Sequence, residues 1–130
     1  MLSYLAIAIG SAIGGMARYF FSGVIMNLAG VGFPYGTLFV NVTGAMIIGF
    51  IATATGPDGR LIAGTHARQF LMVGICGGYT TFSSFSLETL NLMRDGEMIP
   101  AAANAIASVI LCLAAVWIGH IAATVLNRGV

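Results

Sequence analysis

The segment Gly74-Ile75-Cys76-Gly77-Gly78-Tyr79-Thr80-Thr81-Phe82-Ser83-Ser84-Phe85-Ser86-Leu87-Glu88 places glycines, hydroxyl residues and an acid inside an otherwise apolar chain. Two adjacent glycines, a tyrosine and two threonines are expected to interrupt a helix there. The carbonyls freed by an interruption lie at the negative end of the preceding half-helix. Unwound carbonyls of this kind coordinate small cations in broken-helix membrane proteins. A plainer role fits the same residues, a glycine kink that lets two helices pack closely. Phe82 and Phe85, at i and i+3, share one face of the following half-helix, and Ser84 and Glu88, at i and i+4, share a neighbouring one. Phenylalanine in a membrane helix ordinarily faces lipid or core. Its ring edge is also the positive part of a quadrupole. Ring edges and hydroxyls together can hold an anion without a full positive charge beside it. That suits an ion that must bind well enough to enter and weakly enough to leave.

Other polar residues sit at helical spacing elsewhere. Thr37 and Asn41 are four apart, with Gly44 one turn on. Asn41 reads either as glue between helices or as an amide donor to something passing through. Asn104, Ser108 and Cys112 form a second stripe at i, i+4 and i+8. One such stripe usually means packing, whereas two in a chain this apolar suggest a polar track. Gly10, Gly14 and Arg18 share a face in the same way. A small-residue face packs against another helix, so Arg18 is expected to point into the protein rather than snorkel toward headgroups. Arg18 and Glu88 are the charges expected inside spans. Each costs about 2.5–3.5 kcal/mol at a helix centre on insertion scales, which makes both functional candidates. Cys76 and Cys112 read as packing residues rather than a disulfide. His66 and His120 lack the spacing of metal ligands.

These residues need helices that cross a bilayer. Of 130 residues, 58% are hydrophobic and 7% charged, against about 25% charged in an ordinary soluble domain. That composition excludes a soluble enzyme and a disordered chain. A net charge of +1 offers no basic field for nucleic acid. A span needs about 20 mostly apolar residues. The chain accommodates four, roughly 2–27, 35–55, 67–93 and 99–126, within a single transmembrane domain over 1–130. Turn signals separate them at Ala29–Pro34, Gly56–Gly59 and Asp95–Glu97. No basic segment precedes Leu2, so the first span is expected to stay in the mature chain. Four spans put both termini on one side, with Arg60, Arg68 and Arg128, and leave Arg94 on the other. So small a bias fits a single orientation or insertion in both, the latter permitting an antiparallel homodimer.

The chain resembles the Fluc (CrcB) family of bacterial fluoride channels. Gly14-Gly15-Met16-Ala17-Arg18-Tyr19 is similar to the family's first-span motif. Gly36-Thr37-Leu38-Phe39-Val40-Asn41-Val42-Thr43-Gly44 is similar to its second-span motif with the pore asparagine. Gly77 through Ser86 is similar to its long third-span signature. The resemblance implies an all-α, multi-pass protein of the bacterial inner membrane, with a broken third helix. It also implies two antiparallel copies with two fluoride pores and a central structural Na⁺ on the carbonyls of Gly77 and Thr80. By the same resemblance Asn41 donates to fluoride, Phe82 and Phe85 line the pore, and Ser83, Ser84, Glu88 and Ser108 belong to a polar track. Arg18 matches a vestibule arginine. Ser84 stands where threonine is usual, and Cys112 where a hydroxyl residue is expected.

The activity so implied is passive export of cytoplasmic fluoride. No nucleotide-binding loop suggests ATP coupling. A small proton-coupled multidrug exporter is the alternative, but it needs a first-span carboxylate, and residues 2–27 contain none. A non-transporting membrane assembly protein gives no reason for a broken helix or paired phenylalanines. No nucleophile–base pair points to an enzyme.

Overall fold

The structure is a computed structural model that describes residues 1–128. Residues 129–130, which the single domain expected over 1–130 includes, lie outside the described residues. The described chain is all helical. α1 (Leu2–Ala29) and α2 (Tyr35–Ala54) are continuous. The third crossing, Thr65–Arg94, is divided. It begins with α3 (Thr65–Arg68), widens into a π-helix over Gln69–Cys76, and narrows again in α4 (Gly77–Tyr79). After two extended residues it resumes as α5 (Phe82–Arg94). α6 (Met98–Arg128) completes the set. Among the described residues, four helical segments are therefore long and apolar enough to cross a membrane.

Burial is inverted relative to a water-soluble bundle. Leu5, Ile9, Met16 and Phe20 of α1 are exposed, as are Ile106, Val109, Leu113 and Trp117 of α6. Most buried positions are small or polar, among them Ala54, Ala123, Thr37 and Asn104. Lipid removes the hydrophobic drive between helices, so small residues and hydrogen bonds do the joining. The crossing of α1 with the π-helix shows this most plainly. A Cβ added at Gly10 would lie 2.9 Å from the Gly74 Cα, closer than real side chains approach. The Gly10–Gly14 face expected to pack inward does so, and both glycines are buried.

Arg60 and Arg68 do structural work at the helix ends. Arg68 donates to the carbonyl and hydroxyl oxygens of Thr55, just past α2. Arg60 donates through Nη1 to the Leu126 carbonyl (3.3 Å), and its backbone N–H donates to Asn127 Oδ1 (3.1 Å). Cations at helix C-termini meet the negative end of the dipole and the orphan carbonyls there. Charges that read as topology signals in the sequence thus also tie α3 to the end of α2, and the loop after α2 to α6.

Candidate functional site

The third crossing breaks at two residues. Thr80 (φ −86°, ψ 159°) and Thr81 (φ −153°, ψ 121°) are extended. The interruption is narrower than the one expected, because Gly77, Gly78 and Tyr79 remain helical. Gly78 serves instead as a contact surface, where an added Cβ would fall 2.6 Å from the Ser11 carbonyl oxygen. β-Branched threonines accept extended backbone readily. Thr81 then caps α5, its Oγ1 accepting the Ser84 amide at 3.1 Å.

Asn41 holds the break from α2. Its Nδ2 donates to the Thr81 carbonyl (2.9 Å), and its Oδ1 accepts the Thr81 amide (2.7 Å). This pairing satisfies both backbone groups of an extended residue deep in an apolar segment, where an unmade bond costs several kcal/mol. One amide hydrogen of Asn41 has no partner among the described residues. Below the break, Thr80 donates to the Cys76 carbonyl through both its amide (3.0 Å) and its Oγ1 (2.9 Å). Tyr79 is buried, and its hydroxyl lies 2.9 Å from Thr43 Oγ1. Sequence reasoning missed this Thr43–Tyr79 bond, which spans 36 residues and has no local signature.

Two cavities flank the break and share Thr81. The larger, about 990 Å³, is bordered by Arg18, Thr37, Thr81, Ser84 and Glu88. Thr37 Oγ1 donates to Glu88 Oε1 at 2.7 Å. Glu88 Oε2 is buried with no partner among the described residues. Arg18 is half-buried and points inward, with Nη1 3.5 Å from the Thr80 carbonyl. The snorkelling orientation is therefore not the one adopted.

The smaller cavity, about 450 Å³, brings together Asn41, Phe82, Phe85, Ser108 and Cys112 with Gly77 and Thr80. The Phe82 and Phe85 rings stand 5.2 Å apart at 49°. Phe82 is 77% exposed in the single chain. Cys76 borders the same cavity, and both cysteines are free thiols. Nothing in the residue spacing brings Cys76 and Cys112 to one place, and the helix packing does so. Asn104, by contrast, belongs to packing. Its Nδ2 donates to Thr89 Oγ1 (2.8 Å), and Ser108 Oγ donates to its Oδ1 (3.4 Å), which joins α6 to α5.

The candidate residues thus fall into two groups within one chain. Asn41, Phe82, Phe85 and Ser108 border one cavity, and Arg18, Ser84 and Glu88 border the other. Ser83 is exposed, with its Oγ 3.3 Å from Thr81 Oγ1. The division follows from helix geometry, since about 100° per residue sends the Phe82–Phe85 and Ser84–Glu88 faces in different directions. Thr81 Oγ1 also donates to Ser84 Oγ (3.0 Å). The hydroxyls of residues 81, 83 and 84 therefore form a cluster whose protons can turn toward an anion.

Residues 5–120 match the family described as CrcB-like protein, Camphor Resistance (CrcB). The chain is 53% identical over 127 residues to the Fluoride-specific ion channel FluC of Methylocella silvestris, covering 98% of this chain and 97% of that one. It is 52% identical over 129 residues to the protein of that name from Rhodospirillum rubrum, covering 99% and 100%. It is 54% identical over 127 residues to that of Opitutus terrae, covering 98% and 96%. With four membrane-spanning segments and this likeness along nearly its whole length, the chain is a multi-pass bacterial membrane protein belonging to the CrcB family.

Proposed function

We propose that the chain forms a fluoride-selective channel that exports cytoplasmic fluoride passively, as an antiparallel homodimer with a structural Na⁺ at its centre. The observation that carries this reading is the cavity where a spare amide hydrogen of Asn41, the Phe82 and Phe85 rings and Ser108 meet at membrane depth. Every one of these groups offers positive hydrogen or a ring edge, and none is a cation. Fluoride is small, strongly hydrated and a strong acceptor. A row of such donors replaces its water step by step without trapping it. Chloride is larger and is excluded by width. The relatives' shared name, with its fluoride specificity, supports the same substrate.

A second, inverted copy supplies what one chain lacks. The two groups of polar residues lie in separate cavities, and Phe82 is largely uncovered. Pairing two copies covers the exposed apolar faces and joins donor sets from both chains along each path. The weak arginine bias permits both insertions. The reading is of a conduit and not of an enzyme.

Gly77 and Thr80 border the same cavity, and their carbonyls, neutral hard oxygen donors, suit Na⁺. Bound there between two copies, Na⁺ would supply positive charge that holds both helix breaks in place.

Efflux from liposomes tests the function. Vesicles loaded with potassium fluoride are expected to release it rapidly once a potassium ionophore is added, while vesicles loaded with potassium chloride retain their anion. Equal release of the two halides overturns the proposal.

A further inference from the structure

In an unbroken α-helix the Gly77 carbonyl accepts the Thr81 amide, and the Thr80 carbonyl accepts the Ser84 amide. Neither bond is made here. The Thr81 amide donates to Asn41 Oδ1 (2.7 Å), and the Ser84 amide donates to Thr81 Oγ1 (3.1 Å). Two side-chain oxygens have taken the two donors that would otherwise silence these carbonyls. Asn41 also locks the geometry from the other side, donating Nδ2 to the Thr81 carbonyl at 2.9 Å. Thr80 keeps one long contact, from Arg18 Nη1 at 3.5 Å. A carbonyl oxygen has two lone pairs, so one remains. The Cys76 carbonyl, one residue earlier, is different, because the amide and hydroxyl of Thr80 both donate to it. The break leaves the carbonyls of Gly77 through Thr80 without helical donors, and at Gly77 and Thr80 the amides that would otherwise reach them are held by side-chain oxygens.

We propose that Asn41 is a positioning residue for the sodium site: by holding the Thr81 amide it keeps the Gly77 carbonyl free for a hard cation, and Thr81 Oγ1 does the same for Thr80. The inference rests on the sodium reading above and adds a second task to the asparagine. Its Oδ1 and one amide hydrogen serve the backbone, and the other amide hydrogen is left unpaired among the described residues, on a residue that borders the cavity. One side chain thereby links the cation site to the anion path.

Thermal unfolding of the purified, detergent-solubilised protein tests this, with sodium chloride titrated against choline chloride at constant ionic strength. Sodium should raise the wild-type Tm in a saturable way. Asn41→Leu, which lets the Thr81 amide return to Gly77, should weaken apparent sodium affinity by about tenfold. Thr81→Val keeps the shape, removes the second acceptor and should also weaken sodium affinity; it supplies the comparison if Asn41→Leu does not fold. Thr81→Ser retains the cap and should stay within about twofold of wild type. A purely structural Asn41 would lower Tm equally at every sodium concentration. Unchanged sodium affinity in both Asn41→Leu and Thr81→Val would thus overturn the positioning role while leaving the sodium site standing. A wild-type Tm indifferent to sodium would overturn the sodium reading and this inference with it.

Discussion

Asn41→Asp is expected to slow fluoride efflux from proteoliposomes by about a hundredfold. The substitution preserves size and keeps an oxygen for the Thr81 amide, now at 2.7 Å. It removes the Nδ2 donor, so the Thr81 carbonyl loses its 2.9 Å partner and faces a carboxylate oxygen instead. The hydrogen offered to the cavity disappears, and a negative charge stands where an anion must pass. Each loss acts on a group away from bulk water, where an unsatisfied acceptor is expensive. Because the acceptor for Thr81 survives, sodium-dependent stabilisation should persist better in this variant than in Asn41→Leu. Initial efflux rates at matched protein density check the expectation, and a rate within about twofold of wild type would remove Asn41 from the conduction path.

The second large effect is expected from Phe82→Ile, a loss of flux of about tenfold. Isoleucine keeps apolar bulk beside Phe85 and Ser108 but has no ring edge to present. The 5.2 Å ring pair with Phe85 is lost as well, which frees the remaining ring to turn. Folding should be little affected, since Phe82 is 77% exposed in the chain and contributes little to its internal packing. The same efflux assay, paired with a size-exclusion profile, separates the two effects. Wild-type flux from a monodisperse Phe82→Ile protein would leave that side chain as packing against the bilayer or the second copy.

Much of this architecture was legible in the residues. Charge-free runs separated by Gly, Pro and Asp turns marked the helices, because nothing else buries so much apolar surface in a bilayer. The inward turn of Arg18 followed from the two glycines spaced above it on one face. The exact place of the break did not follow. Gly77 and Gly78 have the lowest helix propensity in the segment, yet they stay helical, and at Gly78 the missing side chain admits α1 at close range. The chain opens at Thr80 and Thr81 because Asn41, forty residues earlier, takes the Thr81 backbone. A contact of that separation has no trace in local composition. The π-helical widening over Gln69–Cys76 was equally silent, as its sequence reads as an ordinary apolar helix. The two-cavity division of the candidate residues needed the rotation of α5 in space, which spacing alone fixes only within that helix.

The measurement that reaches the central claim most directly is the zero-current potential across a planar bilayer containing the protein. Sodium fluoride bathes one side and sodium chloride the other. A fluoride-selective conduit predicts currents that reverse close to the limit set by fluoride alone. Reversal near zero, with both halides carrying current, would contradict it.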